Sequence, residues 1–380
     1  MRMSGLSVKS AVPNKETENK MKKISLFVTI VLLIGMMGIS ASESKLVYYV
    51  SGAASAGGNG SEEQPFKTIE EARDAIRRYK QEHELPPEGA EVIVDESIYE
   101  LTSTLKFTEE DSGTRHSPIT YKARTGKKVT FSGGARIDSA KFLNIDDENI
   151  RARLKYPENV LCADISYLGE TDILPYGNME WDNIKENNPQ EIFSAEKPLT
   201  VARWPNEGYA TEGEITDAGE YYADKADKDK CRGFTIKTEA DVSRWTAEND
   251  PRLYGQWYWD WAEQHSRIAA MDTENGTITS DYAHGYGIQS GQRYYAYNIL
   301  AELDQAGEYY IDRENKKLYM WATDINDVVL SVCKDSLISV SNAEYINFEG
   351  FDFMYSRAVQ AFEGRGMKNC NVRNCTFSCM

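Results

Sequence analysis

Histidine is scarce, with 4 in 380 residues, and His265 and His284 stand without paired ligands, so structural roles account for them. The six cysteines (Cys162, Cys231, Cys333, Cys370, Cys375 and Cys379) match no zinc-ligand spacing and no small disulfide scaffold. Positive charge is also short, 43 Lys and Arg against 60 Asp and Glu. Nucleic acid is therefore excluded as a partner, because its binding needs a basic footprint. A polyanionic glycan is repelled on average, whereas neutral or mixed sugars are not. The one long apolar run, Ile24 to Ile39, falls short of the ~20 residues of a spanning helix.

That run follows a short basic start, Met21 to Lys23, and precedes the small residues Gly38, Ser40, Ala41 and Ser42. This is the anatomy of a cleaved signal peptide. The expectation is a secreted, periplasmic or cell-surface protein with no membrane span in its mature form, and with Met1 to Lys20 as an over-called start. Removing residues 1–41, which hold six basic and two acidic residues, takes the net charge from −17 to −21.

Aromatic residues are abundant, with 23 Tyr and 7 Trp, the side chains that stack on sugar rings or fill β cores. Such a length suits two domains or one elongated repeat, since single cores stop growing at roughly 250–300 residues. A strand over Val47 to Val50 runs into a Gly-rich loop and then a helix opened by a Thr68/Glu71 capping box, with Ile69, Ala72 and Ile76 on one face. A lone amphipathic helix there serves to cover the open end of a β stack. Short alternating runs from Val92 to Phe131 read as strands at solenoid spacing.

A repeat is clearest at the other end. YINFEGFDF (Tyr345 to Phe353) lies over NCNVRNCTF (Asn369 to Phe377) at a shift of 24 residues, and every inward position stays apolar. Cys370 and Cys375 then read as small buried hydrophobes. The expectation is that the chain stops one coil into this stack, leaving the last coil open to self-association. Between the two repeat regions the period is lost. Asn275-Gly276 marks a tight turn, and two strands fold around Glu314 to Lys317. The Asp272, Glu274 and Asn275 cluster reads as hairpin turn, its spacing being incomplete for a calcium loop.

The stretches YYVSGAASAGGNGSEEQPFKTIEEARDAIR, EEDSGTRHSPITYKARTGKKVTFSGG, LTVARWPNEGY, YGQWYWDWAEQ, QRYYAYNILAELDQAGEYYIDRENKKLYMW and INFEGFDFMYSRA together resemble bacterial right-handed parallel β-helix carbohydrate-active enzymes. Within these the resemblance is to the β-helix glycoside hydrolases that include α-L-fucosidases and xylanases. It implies an all-β fold: a right-handed parallel β-helix with an N-terminal capping helix and an inserted β-sandwich or barrel domain. The implied division is 1–41 signal peptide, 42–140 cap and first coils, 141–332 inserted β-rich domain, and 333–380 start of the main helix. The family's catalytic carboxylates are expected on later coils, so the chain reads as an N-terminal portion of a secreted glycoside hydrolase acting on complex polysaccharide, inactive alone. Polysaccharide lyase and non-catalytic glycan-binding surface protein are the alternatives. No cofactor or metal is expected.

Glycoside hydrolysis needs two carboxyl groups flanking the bond. Asp260 alternates with Trp259 and Trp261, so a strand here turns it away from both tryptophans, and Glu263 lies three residues on. These two are the candidate carboxylates. Trp257, Trp259 and Trp261 share one face of such a strand, either as a sugar-stacking surface or as core. Arg203 and Trp204, in a compact RWPN turn, are candidate substrate contacts, with an interdomain salt bridge as the alternative for Arg203. Arg293 and Arg357 are the remaining basic candidates, Arg357 on the turn side of a coil where groove residues are expected.

Overall fold

The computed structural model describes residues 45–169, 176–180, 189–221, 231–321, 324–358 and 360–380. The signal-peptide segment lies outside them. The described chain is mostly β, with few helices and several sheets. No helix among the described residues is long and apolar enough to cross a membrane.

Parallel pairing dominates both ends of the chain. One sheet runs Leu46–Val50, Ala90–Val94, Ile119–Ala123, Ile346–Glu349 and Asn371–Arg373; a second runs Ser97–Glu100, Val129–Ser132, Phe351–Met354 and Thr376–Ser378; a third places Ile338–Ser341 between Leu105–Phe107 and Phe362–Arg365. The expected shift holds in register, since Phe348 pairs with Val372 and Phe353 with Phe377. Side chains of the three parallel sheets meet in one core, and the sheets form a parallel stack. Each strand turns alternate side chains inward, and the inward aromatics pile up: Tyr121 on Phe348 at 5.6 Å, Phe131 on Phe353 at 5.5 Å, and Phe353 on Phe377 at 4.8 Å. Outward, the Asn371 carboxamide donates to Asn347 Oδ1 at 2.7 Å. Cys370 and Cys375 are half-buried against this core, as the hydrophobic reading expects.

The corners repeat as well. Left-handed backbone recurs at the same shift in four pairs: Asn342 with Gly366, Tyr345 with Asn369, Gly350 with Asn374, and Tyr355 with Cys379. Asn and Gly tolerate this conformation; Tyr345 and Tyr355 adopt it between strands whose positions fix the turn.

The helix Ile69–Glu82 starts at the expected capping box, with Thr68 Oγ1 accepting from Glu71 N and Glu71 Oε2 from Thr68 N. Its buried residues Ile69, Ala72, Ala75 and Ile76 join the core at the end formed by the Leu46–Val50 strand. Arg77 forks onto buried Asp111 at 2.7 and 2.6 Å and ties the helix to the stack.

The chain leaves the stack at Gly133 and returns at Val332, and the amides of Val332 and Cys333 both donate to the Gly133 carbonyl. A Cβ on Gly134 would fall 2.3 Å from Val329 Cγ1 and 2.9 Å from Tyr355 Cβ, so glycine is what lets the outgoing and returning strands meet. Between these points pairing is mostly antiparallel. Lys197–Pro198, Ile192–Ser194, Val328–Ser331 and Gly134–Ile137 form one sheet. A second contains the Glu308–Asp312 and Lys317–Met320 hairpin, as expected, and the largest has nine strands. The Asn275-Gly276 turn also forms: Asp272 Oδ1 accepts from the amides of Glu274 and Asn275.

Candidate functional site

The large sheet has two unlike faces because side chains alternate along Arg252–Gly255 and Arg293–Tyr297. Leu253, Gly255, Tyr294 and Ala296 point to a core built on Trp245, Trp257, Phe234 and Ile278. Arg252, Tyr254 and Gln256 point the other way, beside Tyr297, Tyr295 and Arg293 of the strand Arg293–Tyr297, while Tyr254 pairs with His265 of the strand Gln264–Asp272. That second face is polar and aromatic.

Its centre is a tyrosine group. Tyr254 and Tyr295 stack at 4.7 Å, and Tyr209, 45% exposed, leans on both at 6.1 and 5.8 Å. The Arg203 guanidinium lies 3.8 Å over the Tyr295 ring and that of Arg293 4.9 Å over Tyr209. Arg293 Nε also donates to Gln256 Oε1, and the Tyr254 hydroxyl donates to Glu263 Oε2 at 3.1 Å. Burial, followed by the Glu263 charge, raises the Tyr254 pKa. Burial pushes Tyr295 up to about 12, against the opposing pull of Arg203. Both phenols therefore stay protonated donors at neutral pH. Burial, helped by the Arg252 charge, brings His265 down to about 4, which keeps its ring neutral where Nδ1 meets the Tyr297 hydroxyl at 2.8 Å.

Three expected residues, Arg203, Arg293 and Glu263, thus flank one tyrosine group, the first two from strands and Glu263 from a loop. The rest do not join them. Trp204 turns to the opposite face, 6.2 Å from both Trp245 and Tyr294, and belongs to the core. Residues 256–263 form no strand: they loop between Arg252–Gly255 and Gln264–Asp272. The three tryptophans consequently share no face. Trp257 is buried in the core, whereas Trp259 and Trp261 are 46% and 54% exposed on the loop, with Asp260 exposed on the turn between them. The cause is local, for the Trp257 ring folds back over Gly255, where an added Cβ would lie 2.1 Å from it. Arg203 makes its contacts with the carbonyls of Pro205 and Gly208 and with the Tyr295 ring, closing its own turn in place of the expected salt bridge. Arg357 is 4% exposed and its amide donates to the Cys333 carbonyl, so it sits inside the fold and not on a groove.

Tyr209, Tyr254, Gln256, His265 and Tyr295 were not legible as a group. The available signal was the alternation in QRYYAY, which sends Tyr295 and Tyr297 to one side and Tyr294 to the other. His284 has the expected structural part, with ring nitrogens 2.9 and 3.1 Å from the carbonyls of Gly287 and Ala262. Chemically, the face offers flat rings flanked by fixed donors. Glu263 brings a carboxylate to this face.

No protein-family model and no curated protein matches the sequence. Among solved structures, a glycoside hydrolase superposes with a TM-score of 0.63 at 15% identity, over 82% of this chain and 51% of that one. The complex of XylC with xylose aligns over 82% of this chain and 36% of its own, with a TM-score of 0.31 and 16% identity. The chain thus shares its fold with a glycoside hydrolase and spans about half of that protein's length.

Proposed function

We propose that the protein is the sugar-recognising portion of a secreted carbohydrate-active enzyme, a glycoside hydrolase built on a right-handed parallel β-helix. In this reading the inserted β-rich domain, expected at 141–332 and bounded by the exit at Gly133 and the return at Val332, holds the glycan, and the carboxylates that cleave it are supplied elsewhere. The observation that carries it is the tyrosine face: Tyr209, Tyr254 and Tyr295 between two arginines and Gln256. Aromatic rings pack on the C–H side of a sugar while flanking donors meet its hydroxyls, the usual composition of a small-molecule site. A shared fold with a glycoside hydrolase supports the same class.

Affinity electrophoresis through gels holding neutral polysaccharides, xylan and fucose-containing glycans among them, tests the reading. Retardation by at least one glycan is expected, and Tyr209→Ala, a change at an exposed position, should weaken it several-fold. Migration unaffected by every glycan would remove the proposal. The purified protein is also expected to release no sugar from those glycans.

A further inference from the structure

A second site lies at the other end of the same sheet face. Two rows before the Arg293 and Gln256 pair, the face carries Arg252 and Arg267, about 13 Å away at ~3.3 Å per strand residue. There it meets the Glu308–Asp312 and Lys317–Met320 hairpin and borders an open cavity of about 510 Å³, within the size range of small-molecule sites. We propose that this cavity binds one neutral sugar residue, as a subsite separate from the tyrosine platform. The inference rests on the glycan-recognising reading above.

The cavity is built on a fixed frame. Arg252, 5% exposed, donates to Asp250 Oδ1 at 2.9 Å, to Asn178 Oδ1 at 3.0 Å, and to the carbonyls of Tyr176 and Gly177 at 2.7 and 3.3 Å, locking the 176–178 segment as one wall. Asn298, buried and left-handed at φ 59°, donates to the Asp250 carbonyl at 2.7 Å and receives Arg313 at 3.4 Å. A non-glycine residue held in that conformation inside the fold marks a wall set by its surroundings. The Tyr176 ring, covered by the Arg313 guanidinium 3.8 Å from its centre, and Ile311 are both buried and form the floor.

Charge selects the ligand. Three arginines face Asp250, Asp281, Asp312 and Glu314, and they compensate one another: Asp250 lies 2.9 Å from Arg252 and 3.9 Å from Arg267. A uronate gains little from so balanced a field. Among the described residues no group of three or more His, Cys, Asp or Glu is placed to hold a metal ion. What the wall offers is alternating donors and acceptors, with Asn249 Nδ2 donating to Glu314 Oε2 at 3.0 Å on the rim. A pyranose or furanose, whose hydroxyls each donate and accept around an apolar ring face, matches that pattern.

Saturation-transfer NMR on the purified protein with glucose, galactose, xylose, fucose, glucuronate and galacturonate titrated separately, and isothermal titration calorimetry with Ca²⁺, test the proposal. At least one neutral sugar should bind, and the exposed-rim double variant Asn249→Ala, Glu314→Gln should weaken it about tenfold, the loss of one or two hydrogen bonds. The same variant should keep the polysaccharide retardation that Tyr209→Ala lowers. Retardation with no monosaccharide signal, or a signal unchanged in the double variant, overturns the cavity and leaves the tyrosine face standing. Preference for a uronate, or Ca²⁺ binding at the rim, overturns the neutral-sugar assignment.

Discussion

The parallel stack and the antiparallel region solve the burial problem in opposite ways. In the last two coils of the stack, inward side chains meet counterparts 24 residues away, as Phe353 meets Phe377. In the antiparallel region neighbours come from unrelated places: Tyr295 touches Arg203, Tyr209 and Tyr254. A repeat makes the same contact over and over, which favours stability and leaves little room for a unique constellation. Non-local pairing brings unlike residues together once, and both candidate sites lie there.

The largest test of the comparison is Phe353→Ala in the stack. This ring is fully buried between Phe131 and Phe377, and its loss should cost about 3–5 kcal/mol by urea unfolding. If the two regions fold as one, the antiparallel sheets unfold in the same transition; a separate, unchanged second transition would divide them.

Glu308 probes the antiparallel region. Its carboxyl is buried, accepts the amides of Asp304 and Gln305 at 3.0 and 3.2 Å, and is pushed up to about 7, mainly by burial. A carboxyl with a raised folded pKa favours folding while protonated, so stability falls as pH rises from about 4.5 to 7. Glu308→Gln keeps an acceptor for both amides and removes the charge. Its stability relative to wild type should grow by up to about 3 kcal/mol between pH 4.5 and 8. His265 acts in the reverse sense. With its pKa lowered to about 4, it draws stability down as pH falls from about 6.5 to 4, because only the unfolded chain takes the proton. The two groups oppose each other in that window, and the variant should uncover the histidine slope. A flat difference across the range would show that Glu308 is solvated.

Gly134→Ala strikes the crossing itself. With Val329 and Tyr355 within 2.9 Å of the new methyl, a loss of about 1–3 kcal/mol is expected, together with lower polysaccharide retention if the crossing orients the tyrosine face. Unchanged stability would mean that the strands separate at no cost. The smallest effect belongs to Asn371→Ala, which removes one half-buried step of the asparagine ladder. About 0.5–1.5 kcal/mol is expected, confined to hydrogen exchange in the last coil.

Sequence alone determined the features that depend on near neighbours or on a fixed period. The capping box at Thr68, the turns at Asn275-Gly276 and Glu314 to Lys317, and the 24-residue register all follow from local hydrogen bonding or from repetition. It erred where alternation imitated a strand: Trp257, Trp259 and Trp261 share a spacing but not a face, because the chain turns at Gly255 and buries the first ring alone. Tertiary structure decided the sites. Arg203, Arg293 and Glu263 carried chemistry visible in sequence, but their meeting around Tyr209, Tyr254 and Tyr295 depends on which strands lie side by side. The cavity at Asn249, Asp250 and Glu314 left no sequence trace, since its walls come from a sheet face and a hairpin whose approach is fixed by packing and by no spacing along the chain.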